Sequence, residues 1–223
     1  MDCDRDGGDA SQGYDRLPRP LRLQIVRIVA PLLGALVIGG CAYWSEKQGE
    51  LIFRPTKEAW WGYNGAGSSA AVQELWIPVG TEGHQLNAWW LKAEDPNAPA
   101  LLYLHGARWN LTGSFTRIER WRKLGFSVLA IDYRGFGKSS DVVPSESLAY
   151  EDADAAWEHL ARLAPGGKRF IVGHSLGGVV AIELAARHPD AAGLFLEATF
   201  TSMRDMIANT TWKIGRASCR ERV

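Results

Sequence analysis

The sequence predicts an α/β fold in which a mostly parallel sheet carries helices on both faces. From residue 100 onward, short apolar runs of strand type alternate with longer stretches of helical periodicity. Alternation of this kind builds parallel sheets. The polar residues His105 and Asp132 come directly after two of the apolar runs, and Ser175 follows a third after two intervening residues. Because ligands of parallel sheets bind where the strands end, these three positions are the first candidates for a functional site.

The composition is that of an ordinary globular protein. A length of 223 residues is typical of one domain with additions. The net charge is zero, so the charge balance gives no reason to expect nucleic acid as a partner. The three cysteines, Cys3, Cys41 and Cys219, lie far apart and outside the region with the motifs. They indicate neither a disulfide framework nor a metal site.

The first 44 residues predict a tail followed by a membrane attachment. Residues 1–20 are polar and typical of a disordered tail. Residues 21–44 contain an uncharged run after Arg27, close to the ~17–25 residues that span a bilayer. Two interpretations stay open, a transmembrane helix and a lipoprotein signal segment. In the second, Cys41 ends a stretch that resembles a bacterial lipobox and would carry the lipid anchor. Either one predicts that the remainder faces the periplasm or the outside of a bacterial cell.

Residues 45–213 contain the predicted domain. A connector comes first, and then a hairpin with strands at 72–79 and 84–93, joined by a turn that contains two glycines. Further strands are predicted at 101–104, 127–131, 169–172 and 193–197, and helices at 112–124, 147–163 and 178–187.

The pentapeptide Gly173-His174-Ser175-Leu176-Gly177 matches G-x-S-x-G, the pattern of a nucleophile elbow. In an elbow the serine sits on a sharp turn between a strand and a helix, and its neighbours are small because the turn is crowded. The predicted strand and helix on either side fit this arrangement. The first amides of the helix then point toward the substrate, so the amide of Leu176 can stabilise a developing oxyanion.

Three segments together resemble an α/β-hydrolase: residues 104–106, 132–139 and 173–178. Residues 144–146 and 196–202 resemble the membrane-anchored Bem46-like branch of that superfamily, near the serine aminopeptidase S33 and lysophospholipase-like hydrolases. The resemblance covers residues 51–211. It implies an α/β-hydrolase fold, an enzyme that acts on small-molecule or lipid esters, and no cofactor.

The resemblance also implies roles for single residues. Ser175 is the nucleophile, and the amides of Leu176 and Ala107 form the oxyanion hole. His105 and His174, although they lie within the motifs, are structural by the family's pattern. The residues alone suggest that Asp132 fixes its own turn.

The catalytic acid and base are not found in this chain. A serine needs a base to take its proton, and in this fold the acid and then the histidine follow the serine. After Ser175 the one histidine is His188, which is too close to the serine in sequence to act as the base. Glu197 could serve as the acid only in a variant arrangement. Residues 214–223 match the translation of a common sequencing-library adapter, so we expect the fold to be incomplete at its C-terminus, with acid and base in the missing part.

The sequence therefore predicts a membrane-anchored serine hydrolase of carboxylic esters, thioesters or lipid-like substrates, which forms an acyl-enzyme on Ser175. The fragment itself is expected to be inactive. A peptidase of the same fold is the alternative among enzymes. A non-catalytic binding or scaffold protein on a hydrolase fold is the alternative from another class.

Overall fold

The computed structural model describes residues 49–60 and 72–199, together with the helical positions 30, 31, 34, 39, 40 and 47. The chain divides into two compact units, Met1–Ser45 and Glu46–Val223, and the second contains the sheet and the helices that pack on it. The expected tail at 1–20, nearly all of the expected membrane segment at 21–44, and residues 214–223 lie outside the described residues. Among the residues described, no helix is long and apolar enough to span a bilayer.

Within residues 72–199, six strands and three helices alternate as the sequence predicts. The strands are β1 (Val72–Val79), β2 (His84–Leu91), β3 (Ala100–Leu104), β4 (Ser127–Ile131), β5 (Arg169–His174) and β6 (Gly193–Glu197). The helices are α1 (Leu111–Lys123), α2 (Glu146–Leu163) and α3 (Leu176–Arg187). The strands form one sheet in the order β1-β2-β4-β3-β5-β6. The pairs β1–β2 and β2–β4 are antiparallel and the other three are parallel, so the predicted mostly parallel sheet is confirmed.

Helices cover both faces of the sheet because side chains alternate along each strand. In β3, Leu102 and Leu104 pack into the layer under α2 and α3, whereas Leu101 and Tyr103 pack into the layer under α1. All five residues of β3 are fully buried. A strand buried on both faces reads as an unbroken apolar run, which is why its sequence shows no alternation.

Each helix begins at a residue that suits its position. The Asn110 side chain accepts a hydrogen bond from the Gly113 amide, 3.2 Å away, and so caps α1. Ser145 caps α2 by accepting from the Leu148 amide at 3.2 Å. In α2 an alanine-rich stripe is buried against the sheet, as its three- and four-residue spacing predicts. Helix α3 starts directly after Ser175, with no side-chain cap.

The order of the strands brings the ends of three of them together. Strand β3 lies between β4 and β5 and runs parallel to both. The residues that follow these strands, His105, Asp132 and Ser175, therefore share one edge of the sheet, as expected for the ligand-binding edge of a parallel sheet.

Candidate active site

Ser175 occupies a sharp turn between β5 and α3. Its φ of 54° and ψ of −117° lie outside the regions that non-glycine residues ordinarily adopt. Such strain persists only where surrounding contacts fix the backbone, and it concentrates at functional sites.

Backbone hydrogen bonds hold the strained turn from two directions. The Ser175 amide donates to the Glu197 carbonyl at the end of β6, 2.8 Å away. The Ser175 carbonyl accepts from the Gly178 amide at 3.0 Å and from the Thr199 hydroxyl at 2.7 Å. The segment after β6 thus clamps the elbow, and Ala198 within it has a positive φ of 48°. Sequence reasoning missed Thr199 as a contact of the elbow, because a bond across 24 residues leaves no local pattern.

The glycines of the motif are required because the side chain of any other residue would clash with its neighbours. A Cβ atom at Gly177 would overlap the carbonyl oxygen of Leu104, and one at Gly178 would overlap the Thr199 side chain. On the facing loop, a Cβ atom at Gly106 would come within 3.0 Å of the Ser175 Cβ. The loop after β3 therefore packs directly against the serine, which brings Ala107 to the site.

Three polar groups at this edge are without partners in the described part of the chain. The Ser175 hydroxyl takes part in no hydrogen bond with any described residue. Within the same residues, the amides of Leu176 and Ala107 donate no hydrogen bond. Free N–H groups at a helix N-terminus attract negative charge. Acyl transfer needs a hydroxyl to attack and amides to stabilise the oxyanion, and this edge of the sheet carries groups of both kinds.

The Asp132 side chain does not bond to its own turn, so that expectation was wrong; only its backbone carbonyl does, accepting from the Ser139 hydroxyl at 2.6 Å. The Oδ1 atom of Asp132 accepts a hydrogen bond from the Leu111 amide at 2.8 Å and lies 3.4 Å from Nε2 of His105. The carboxylate thus satisfies the first free amide of α1, where negative charge is also favoured by the helix dipole. This contact joins the end of β4 to α1 across 21 residues, a distance at which the sequence pattern gives no signal.

The histidines of the two motifs pack beside the serine and form no hydrogen bond with it. His105 is fully buried, and its Nδ1 lies 2.8 Å from the Gly106 carbonyl. His174 is half-buried, and burial, followed by the charges of Arg117 and His105, lowers its pKa. The lowered pKa favours the neutral form of the His174 imidazole.

The other three histidines pair elsewhere in the described chain. His84 lies 3.1 Å from Glu82, His159 bonds to Arg162, and His188 lies 2.9 Å from Asp154. No histidine is thus placed as a base for Ser175 among the described residues. Nor does the described chain contain a group of three or more His, Cys, Asp or Glu side chains that could hold a metal ion.

Comparison with known proteins identifies the family. Residues 95–219, more than half of the chain, match the profile of the hydrolase family described as serine aminopeptidase, S33. The chain belongs to this family. It resembles the protein bem46 of Schizosaccharomyces pombe, with 40% identity over 123 residues that cover 52% of this chain and 40% of the relative. It is thus an α/β-hydrolase of the Bem46-like kind.

Two further relatives match a similar length of the chain. An uncharacterized membrane protein of Saccharomyces cerevisiae is 36% identical over 133 residues, which are 57% of this chain and 46% of that protein. The lysophosphatidylserine lipase ABHD12 of Rattus norvegicus is 34% identical over 126 residues, 52% of this chain and 31% of the lipase. The chain therefore spans less than half of the length of these relatives.

Solved structures agree on the fold. An α/β-hydrolase from Vibrio vulnificus superposes with a TM-score of 0.56 at 22% identity, over 68% of this chain and 56% of that one. An esterase from Pyrococcus furiosus gives a TM-score of 0.55 at 21% identity, over 65% of this chain and 56% of the esterase. At these identities the likeness establishes the α/β-hydrolase fold that the sequence predicts.

Proposed function

We propose that the protein is a serine hydrolase of carboxylic esters, thioesters or lipid-like substrates, and that it forms an acyl-enzyme on Ser175. One observation carries the proposal: Ser175 sits at a positive φ of 54° on the strand–helix turn, with its hydroxyl unpartnered among the described residues. The Ser175 hydroxyl makes no hydrogen bond with the described residues, so it has no evident role in holding the fold together. The strain at Ser175 is explained if the hydroxyl must be presented to a substrate.

The chemistry follows from the groups around the hydroxyl. The Ser175 oxygen attacks the carbonyl carbon as a base removes its proton, and the negative charge moves onto the carbonyl oxygen. The amides of Leu176 and Ala107 donate to that oxygen, which stabilises the tetrahedral intermediate. The intermediate collapses as the bond to the leaving group breaks, and the base returns the proton to the departing alcohol or thiol. Water then hydrolyses the acyl-enzyme by the same steps.

The base and its acid partner, in this proposal, lie outside the 223 residues. The five histidines of the chain all lie in the described residues, and none bonds to Ser175. The relatives are more than twice as long as the matched segment, which leaves room for both groups. We expect the 223-residue chain to show no turnover. Reading the gene beyond the codon for Thr211 tests this directly, since the proposal requires a carboxylate and then a histidine after further strands.

A substrate panel separates esterase from peptidase activity. The name of the lysophosphatidylserine lipase relative supports lipid ester substrates, whereas the description of the family supports aminopeptidase substrates. The protein expressed through its natural stop codon is expected to cleave p-nitrophenyl esters and not aminoacyl naphthylamides. The Ser175→Ala variant should lose ester cleavage by at least about a thousandfold. Cleavage of neither class of substrate would favour the scaffold alternative.

We also propose that residues 21–44 attach the protein to a membrane, with the domain on the outer side. Support comes from the uncharged run in the sequence and from the yeast relative that is described as a membrane protein. Carbonate extraction of membranes tests the attachment, and a Cys41→Ala variant separates a lipid anchor from a helix. Protease added to intact cells tests the orientation.

A further inference from the structure

Two tryptophans, Trp60 and Trp109, stack beside the candidate active site. Their ring centroids are 4.9 Å apart, and the ring planes differ by 13°. The Trp109 ring meets the imidazole of His174 edge-on, with centroids 6.4 Å apart. His174 directly precedes Ser175, and a Cβ atom at Gly106 would touch both residues. The stacked pair therefore lies one side chain away from the nucleophile.

Hydrogen bonds fix the segment that carries Trp60. The Trp60 amide donates to the Thr112 hydroxyl at 2.7 Å, and the Asn110 side chain donates to the Glu58 carbonyl at 2.8 Å. The Thr56 hydroxyl donates to the Arg108 carbonyl at 2.8 Å. These bonds join residues 54–60 to the loop after β3 without help from the Trp60 ring. The segment is thus held without the stacking of the Trp60 ring. The position of the ring therefore needs a reason other than the stability of this segment.

The first turn of α1 is shaped to receive the two rings. Gly113 has no side chain, and a Cβ atom there would lie 3.0 Å from Cε3 of Trp109 and 3.4 Å from Cγ of Trp60. Despite this close fit, Trp60 leaves 42% of its surface exposed. A large, rigid and exposed apolar surface next to a reactive group is typical of a binding site.

From this geometry we infer that the Trp60–Trp109 pair is the wall along which the acyl chain of the substrate lies when its carbonyl carbon is at Ser175. The inference rests on the proposed function and specifies its substrate: an ester with an extended hydrocarbon chain. The two indole rings offer a hydrocarbon a continuous apolar surface, and the Arg117 guanidinium lies over the Trp109 ring at 5.0 Å in a cation–π contact.

Quenching of tryptophan fluorescence tests the site independently of catalysis. The probe is a medium-chain fatty acid brominated at its terminal carbon, used below its critical micelle concentration, since bromine quenches only nearby indoles. We expect a saturable loss of fluorescence in the 223-residue chain and equally in its Ser175→Ala variant. The unbrominated acid should compete.

Variants assign the quenching to the pair. Trp60→Ala should weaken binding about tenfold, because it removes most of the apolar wall, while Trp60→Phe retains a ring and should recover part of the affinity. The matched control is Trp76→Ala, which removes a tryptophan that is 46% exposed on β1 and should leave the binding constant unchanged. Circular dichroism checks that each variant folds.

Three results would overturn the inference. One is an affinity of the Trp60→Ala variant for the brominated fatty acid that equals the affinity of the unmutated chain. Another is quenching by vesicles of brominated phosphatidylcholine with none by the monomeric acid, which would make the pair a bilayer contact. The third is a shift from dimer to monomer in Trp60→Ala by sedimentation, which would make it a contact between copies. Failure of the proposed function looks different: fatty-acid binding would persist while Ser175 proved dispensable for hydrolysis.

Discussion

Gly178 shows how closely the elbow is packed at the scale of single residues. A Cβ atom there would overlap the Thr199 side chain, whose hydroxyl holds the Ser175 carbonyl. Gly178→Ala should therefore displace Thr199 and lower the free energy of unfolding by about 1–3 kcal/mol, as overpacked sites do. Urea unfolding measures the loss. Gly167→Ala is the control, because the nearest atom to its Cβ is 3.8 Å away; equal effects at both positions would contradict this packing.

His174 offers a test of the electrostatics beside the nucleophile. Burial is the first cause of its lowered pKa and the charge of Arg117 the second. Arg117→Gln should raise the pKa of His174 toward its ordinary value, as read from the imidazole proton shifts in an NMR titration. Arg120→Gln, on the exposed face of the same helix, should leave it unchanged. A pKa that does not move in the Arg117 variant would show that Arg117 does not act on His174.

The same shift has a consequence for stability. A histidine whose pKa is lower in the folded state binds more protons in the unfolded state. Its contribution to the free energy of unfolding is therefore complete above the unfolded pKa of about 6.5. That contribution is lost as the pH falls below this value through the folded pKa. Arg117→Gln should therefore make stability less dependent on pH in this range.

At the scale of elements, the Asn110 side chain both caps α1 and holds the neighbouring segment that contains Thr56 and Glu58. Asn110 accepts from the Gly113 amide, and its Nδ2 donates to the carbonyls of Glu58 and Thr56. Ser145 caps α2, and its other side-chain bond, to the Ser147 hydroxyl at 3.0 Å, stays within the same helix. Asn110→Ala should therefore cost more than the ~1 kcal/mol expected for Ser145→Ala, by about one further kcal/mol for the lost donor bonds. Urea unfolding of both variants measures the difference, and equal costs would contradict the double role.

The Asn110→Asp variant separates the capping of α1 from the hydrogen bonds to the segment 54–60. A carboxylate can still accept from the Gly113 amide at the helix N-terminus, but it has no donor for the two carbonyls. The helix should persist, while the segment 54–60 loosens. Hydrogen exchange of the Trp60 amide, which bonds to the Thr112 hydroxyl, should then become faster. Unchanged exchange would mean that Asn110 does not hold this segment.

The elements were predictable from local pattern, and the contacts between them were not. The six strands and three helices follow apolar runs, caps and glycine stops, so their positions could be predicted to within a few residues. The elbow could also be predicted, because its signal lies within five consecutive residues. By contrast, the bond from Asp132 to α1, the Thr199 clamp and the Trp60–Trp109 stack join residues 21, 24 and 49 apart. No periodicity links such positions, and each depends on how the strands are ordered in the sheet.

At the scale of the whole molecule, β6 forms an edge of the sheet in the described residues, with β5 as its paired neighbour there. Leu196 on this strand is 44% exposed. Exposed apolar edges promote association, so the 223-residue chain should self-associate, and Leu196→Lys should reduce this. Light scattering across a concentration series measures it. Leu124→Lys, at a position that is 64% exposed but lies at the end of α1, should have no effect; a matching reduction there would rule out the edge as the cause.

For the molecule as a whole, the proposal is that its sheet, glycines and clamp serve to present the Ser175 hydroxyl to an ester carbonyl. The decisive measurement is peptide mass spectrometry after a fluorophosphonate reacts with the protein expressed through its natural stop codon. We predict one phosphonyl adduct, on the peptide that contains Ser175, and none in the Ser175→Ala variant. An unmodified Ser175, or labelling that persists in that variant, would contradict the proposal.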